Sequence, residues 1–232
     1  MAVAEVSPNR HYRYPMALIR SAFQDELDGV SRTLVELSKT VAELINDSTK
    51  ALLGADLQLA EEVISSDDAV DEKQHELDAR IIDIIARQQP VASDLRALIT
   101  ALRMSADLER MGDMAHHIAK ITRLRYPNCA VPAELTKTFI EIGRVAEAIA
   151  LKTGAVIETR NTDMAIEVEK DDDAMDQLHR DLISTLLSKE SSYGVETAID
   201  LTLVGRYYER YADHAVSVAR RVYFLVTGEY FD

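Results

Sequence analysis

The chain has one cysteine, no tryptophan, five prolines and eight glycines in 232 residues. The single thiol, Cys129, excludes an intrachain disulfide and any zinc site built on several cysteines, and it fits a reducing, cytoplasmic setting. Long apolar runs are also missing. Nowhere do about 18 uncharged apolar residues follow one another, and residues 1–15 hold no apolar stretch of the secretory kind, so neither a spanning helix nor a leader is expected. Alternating β-branched runs bounded by turn residues are absent, which leaves an all-α fold. Basic residues are outnumbered, 26 Lys and Arg against 40 Asp and Glu, for a formal charge of −14. Phosphate backbones and anionic lipid surfaces need a concentrated basic face, so nucleic acid is excluded as a partner and membranes are reached only through other proteins. The same acidity favours cations.

Catalytic patterns are missing as well. There is no Gly-rich phosphate loop, no Gly-x-Ser-x-Gly and no evident base beside Cys129, so nothing recommends an enzyme. His75, His116, His117, His179 and His214 form no His-x-x-x-His spacing and a single Glu-x-x-His, Glu72 to His75, without a second to pair with it, and they read as structural or exposed side chains. His214, next to Asp213, is the one candidate for a ligand or supporting role.

What is present is helical periodicity. Leu27, Val30, Leu34, Leu37, Val41 and Leu44 fall on alternating three and four spacings, predicting a first helix over 23–53 that ends at Gly54. Asp56 caps a second helix running to about Gln88, with Val63, Val70, Leu77, Ile81 and Ile85 turned inward. After Pro90, Ser93 is a suitable cap for a third helix, with Leu95, Leu98, Leu102, Ser105, Glu109, Gly112 and His116 on its seam. The segment 126–132 holds two prolines and no periodicity, marking a boundary. A fourth helix over 135–156, a fifth over 163–189 and a sixth over 195–226 follow; Tyr207, Tyr208, Tyr211 and Tyr223 on the last read as packing residues. The expected organisation is a loose tail over 1–14, a three-helix bundle over 15–126, a linker over 127–133 and a second three-helix bundle over 134–232.

The second half repeats the first. Asp67-Asp68-Ala69-Val70-Asp71-Glu72 is matched by Asp172-Asp173-Ala174-Met175-Asp176-Gln177, an offset of 105 residues. Glu109-Arg110-Met111-Gly112-Asp113 is matched by Glu209-Arg210-Tyr211-Ala212-Asp213, an offset of 100, which fits a shorter connection between the second and third helices of the later half. Each matched pair of acids, Asp67 with Asp71, Glu109 with Asp113, Asp172 with Asp176 and Glu209 with Asp213, has the i, i+4 spacing that puts both carboxylates on one helix face. Antiparallel neighbours can then gather four carboxylates per half, on or beside stripes that are otherwise apolar. Crowded carboxylates must be neutralised by protons, arginines or a cation. Arg110 and Arg210 are the candidate arginines; solvated helix faces are the plainest alternative. Oxygen-only ligation suits iron, manganese, magnesium or calcium better than zinc or copper. A carboxylate-bridged di-metal oxidase or metal store is the competing function, but it calls for a Glu-x-x-His motif on each of two helices, and the sequence has only one, Glu72 to His75.

The run Ile85-Ala86-Arg87-Gln88-Gln89-Pro90-Val91-Ala92-Ser93-Asp94-Leu95-Arg96, followed by Leu108-Glu109-Arg110-Met111-Gly112-Asp113, resembles the signature of the PhoU family of phosphate-uptake regulators, and the likeness extends from about residue 17 to 227. The resemblance implies tandem three-helix bundles with metal clusters in a cytoplasmic, non-catalytic bacterial protein that forms a homodimer. It implies links to the ATPase of the high-affinity phosphate ABC transporter and to a two-component sensor histidine kinase, with starvation signalling and phosphate uptake held down when phosphate is plentiful. The metal ligands it implies are Asp67, Asp71, Glu109 and Asp113 in the first bundle and Asp172, Asp176, Glu209 and Asp213 in the second. Two positions depart from the family: Met114 stands where a His usually follows the Asp, whereas His214 keeps it, and the N-terminal tail is longer than usual.

Overall fold

The computed structural model describes residues 16–188 and 193–229, with side chains from residue 21 onward. The expected tail over 1–14 lies outside the described residues. The described residues form six helices, α1 (Met16–Gly54), α2 (Leu57–Gln88), α3 (Ala92–Arg125), α4 (Thr136–Thr159), α5 (Thr162–Leu187) and α6 (Val195–Thr227), with a 3₁₀ turn at Ala133–Leu135 before α4. No strand occurs among the described residues, and no helix is long and apolar enough to cross a membrane.

Local chemistry explains most of the helix ends. Asp56 accepts from the amide of Leu59 at 3.1 Å, and Asn161 does the same for Met164 at 3.0 Å, each satisfying a free first-turn donor. Gly228, at φ 80°, closes α6 with its amide on Phe224 O. The third helix starts differently from its sequence expectation. It begins at Ala92, itself at φ 49°, behind an extended Val91 that makes no side-chain cap bond, so Ser93 lies inside the helix rather than capping it. Ala55, Gln89 and Arg160 take the left-handed position in the turns after α1, α2 and α4, where sequence reasoning looks for glycine.

Packing does not stop at the boundary between halves. Within each half the three helices pack on one another, yet α3 lies against α6 and α1 against α4 at least as extensively as any pair within a half. The result is a central layer of α1, α3, α6 and α4, with α2 resting on α1 and α3, and α5 on α4 and α6. All buried apolar residues belong to one core. α3 and α6 run antiparallel: Arg125 at the end of α3 reaches Glu196 and the buried Asp200 at the start of α6, while Asp107 on α3 takes Arg221 at 2.8 Å and His214 at 3.1 Å. These pairs neutralise charge that the shared core would otherwise strand.

The contact of α1 with α4 is unusually close. A Cβ on Gly143 would lie 2.4 Å from Thr49 Cγ2, and one on Gly154 would lie 2.6 Å from Ser38 Oγ, so two glycines three turns apart let the backbones approach. Thr49 also meets the phenol of buried Tyr208 at 2.7 Å, and buried Tyr211 donates to Val41 O at 2.9 Å. Burial pushes both phenols up, so they stay neutral donors. Tyr208 and Tyr211 are core residues as expected, whereas Leu95 is exposed and Leu102 half-buried, away from the seam position expected of them.

Gly143→Ala is expected to lower stability by about 1–3 kcal/mol through overpacking, which at about 2–4 °C per kcal/mol for a chain of this size is a drop of several degrees in Tm. An unchanged Tm by circular dichroism would mean that α1 and α4 separate without cost.

Candidate metal centres

The register of α2 on α3 is fixed by Ser105 Oγ donating to Asp78 Oδ1 at 2.7 Å and by the absence of a side chain at Gly112, where a Cβ would lie 3.3 Å from Val70 Cγ1 and 3.8 Å from Asp67 Oδ1. This close approach sets Asp67 and Asp71 of α2 beside Glu109 and Asp113 of α3. The four are half-buried in an outward groove, not enclosed in the bundle interior as their seam positions suggested. Burial raises the Asp67 carboxyl first, and Asp113 and Asp71 add to it against the pull of His116. Burial likewise raises Glu109, reinforced by Asp113, Asp71 and Asp67 and opposed by Arg110. Asp67 and Glu109 therefore each feel other acids of the quartet.

The second half repeats the arrangement between α5 and α6. Asp172 is pushed up to about 7, by burial and then by Asp213, Asp176 and Glu209. Glu209 is raised by burial and by Asp213, against Arg206 and His179. Asp213 is exposed, so this groove is the more open at that residue.

Do these residues suit a cation? Buried oxygens Asp67 Oδ1, Asp71 Oδ1 and Asp172 Oδ1 have no hydrogen-bond partner, an expensive condition for a carboxylate unless something neutralises it. The chemistry and the charge of both sets fit a hard cation. The side chains do not stand in a finished ligand shell: among the described residues no three acidic, histidine or cysteine groups converge closely enough to hold an ion as placed. Arginines stand in instead. Arg110 lies 2.6 Å from Asp113 Oδ2 and 3.3 Å from Glu109 Oε2. In the second half the arginine on Glu209 is Arg206, one turn before it, rather than the expected Arg210.

Two histidines set aside at the sequence level sit at the grooves. His116 Nδ1 comes to 2.5 Å from Asp67 Oδ2, yet neither of its buried ring nitrogens makes an aligned hydrogen bond. Burial lowers the imidazole, against the attraction of Asp67. His179 faces Glu209 and packs over Gly205, where a Cβ would lie 3.3 Å from its Cδ2. Each lies three residues after a quartet aspartate, Asp113 or Asp176, which places it on the same helix face. Neither is repeated: the counterpart of His116 is Val216 and that of His179 is Gln74, so a search for matched residues passes over both. His214, the histidine expected near the second quartet, instead bonds Asp107 in the contact between α3 and α6.

Comparison with known proteins matches the PhoU domain to residues 34–122 and 139–222, one copy per half. A phosphate-specific transport system accessory protein, PhoU homolog 1 of Mycobacterium leprae, is 42% identical over 212 residues, covering 91% of this chain and 96% of that protein. A PhoU homolog from Clostridium acetobutylicum with the same description is 34% identical, covering 93% of this chain and 99% of its own. The crystal structure of PhoU from Pseudomonas aeruginosa superposes with a TM-score of 0.81 at 27% identity, covering 89% of this chain and all of that one.

In metal-free protein, the Asp172 carboxyl titrates near 3.8 when unfolded and near 7 when folded, so between these values the folded chain holds a proton that the unfolded chain has lost. Stability from this group therefore falls as pH rises through that window. With chelator present, Asp172→Asn is expected to flatten the decline of Tm with pH. Parallel curves for parent and variant would show that the quartet is not crowded.

Proposed function

Because the chain belongs to the PhoU family of phosphate-transport accessory proteins, we propose that it is a metal-binding cytoplasmic regulator and adaptor without catalytic activity of its own. It couples the ATPase of a phosphate ABC transporter to a sensor histidine kinase, and it holds starvation signalling and phosphate uptake down when phosphate is plentiful. The observation that carries this reading is the pair of matched carboxylate grooves. Asp67, Asp71, Glu109 and Asp113 hold cations in one, and Asp172, Asp176, Glu209 and Asp213 in the other. Iron, manganese or magnesium suits these oxygen donors better than zinc. Bound cations supply the charge that Arg110 and Arg206 only partly provide, and they tie α2 to α3 and α5 to α6.

An adaptor also needs surfaces for partners, and the same helix pairs offer them twice. Ile82, Leu95 and Ile99 are 60%, 37% and 40% exposed toward the turn between α2 and α3, and their counterparts Leu187, Val195 and Ile199 are 79%, 78% and 55% exposed. Three large apolar side chains left in solvent at matched places in both halves support a role in contact with other proteins. Since cations and partners use the same helix pairs, ion occupancy can bias partner affinity, which is the requirement for a regulator that reports a state. The chain acts as a homodimer in this reading, bringing each surface twice to its targets.

Ile99→Arg with Ile199→Arg replaces exposed side chains, so stability should stay within about 0.5 kcal/mol of the parent's. Co-purification with the transporter ATPase and the kinase from phosphate-replete cells is expected to be lost in this variant and in Glu109→Gln with Asp113→Asn. If both variants still recover both partners, the adaptor surfaces lie elsewhere. Rapid oxidation of added Fe(II) with oxygen consumption would favour the oxidase or storage function instead.

A further inference from the structure

The two ends of the central layer differ. At the end where α1 and α3 finish and α4 and α6 begin, the connection before α4 covers the core with buried Ala130, Val131 and Leu135, and Arg125 is tied to Asp200 beside it. At the other end, where α1 and α3 begin and α4 and α6 finish, the described residues leave a cavity of about 420 Å³. Leu27, Val30, Ile157, Val222 and Leu225 line it, and its volume falls in the range of small-molecule sites of about 300–1,000 Å³.

Arg160, in the turn after α4, lines both this cavity and an adjoining polar cleft of about 550 Å³ that also holds Arg32 and Lys39. Of the described acids near these cations, only Glu36 is neutralised by a cation from outside the cleft. Asp28 accepts from Gln24 at 3.0 Å, Glu36 pairs with Lys73 at 3.2 Å, and Asp94 sits in the first turn of α3, where the helix amides balance it. Glu158 is the remaining cleft acid. Arg32, Lys39 and Arg160 make no ion pair among the described residues, in a chain where acids outnumber bases 40 to 26. An apolar chamber that opens at one side onto three uncommitted cations is complementary to a molecule with an apolar body and an anionic head.

We propose that this end of the molecule is a binding site for an amphiphilic anion, a single acyl chain ending in a carboxylate or phosphate. The chain enters among Leu27, Val30, Ile157 and Val222 and the head meets Arg160, Arg32 and Lys39. The site is separate from the carboxylate grooves and goes beyond the regulatory reading above.

The test is displacement of the fluorescent apolar anion anilinonaphthalene sulfonate from the full chain, which has no tryptophan to interfere, by dodecanoate, dodecyl phosphate, dodecanol and inorganic phosphate, all below micellar concentrations. Both amphiphilic anions are expected to displace the probe at one molecule per chain, with dodecanol at least tenfold weaker and inorganic phosphate without effect. Arg32→Gln with Arg160→Gln, both exposed positions, should weaken the two anions at least tenfold at unchanged Tm, and Ala97→Phe should block all apolar ligands by filling the cavity. Preference for dodecanoate or for dodecyl phosphate identifies the head group within the proposed class. Equal binding of dodecanol and the anions, undiminished binding by the arginine variant at unchanged Tm, or displacement by inorganic phosphate alone would each overturn the proposal, as would no displacement at all.

Discussion

Four helices of this protein share one core, and that sharing places everything else. A three-helix bundle of about 100 residues has little interior of its own, and joining two of them back to back along α1, α3, α6 and α4 buries faces that neither half could bury alone. The close passage of α1 over Gly143 and Gly154 of α4 and the antiparallel run of α3 on α6 use up the inner sides of these helices. α2 and α5 are left on the two flanks. Each then meets the outer edge of α3 or α6 in a groove, and it is in those grooves that the acidic residues stand.

Half-burial is the condition that gives the grooves their chemistry. A fully exposed quartet of carboxylates would be screened by water and salt and would need no partner; a fully enclosed one would not fold without neutralisation. Here the acids are desolvated enough to repel one another and raise Asp67, Glu109, Asp172 and Glu209, yet open enough for Arg110 and Arg206 to swing in from the helix surface. Such a site exchanges one neutraliser for another at modest cost. An arginine on the surface of its own helix gives way more readily than a buried ion pair would, and in the proposed reading its replacement by a cation alters how firmly α2 and α5 are held.

Much of this was legible in the sequence because the signals are periodic and repeated. The six helices and the two acidic quartets follow from spacing alone, and the long seams of Leu34, Leu37 and Val41 or Phe139, Ile142 and Ala146 are buried as their periodicity requires. What periodicity does not carry is which side of a helix faces the other half. Glu109 and Leu95 both fit a seam register, but the side of α3 facing α6 claims the interior, so both turn toward the outer groove. The asymmetry of the histidines was hidden for a related reason. His116 comes from α3 in one half and His179 from α5 in the other, so three-dimensional proximity equates residues that alignment of the halves does not. Ala92, Gln89 and Arg160 show the third gap: tertiary packing holds non-glycine residues at positive φ where local preference offers no cue.

The central claim is that each groove holds cations independently on its own quartet. Equilibrium dialysis of the purified chain against iron, manganese and magnesium, followed by elemental analysis, tests it most directly when the parent is compared with a variant carrying Asp67→Asn, Asp71→Asn, Glu109→Gln and Asp113→Asn. The account expects ions bound to the parent and loss of only the first-half share in the variant, with the second quartet still loaded. A parent chain that emerges without bound ions, or a variant that keeps the full complement, would contradict it.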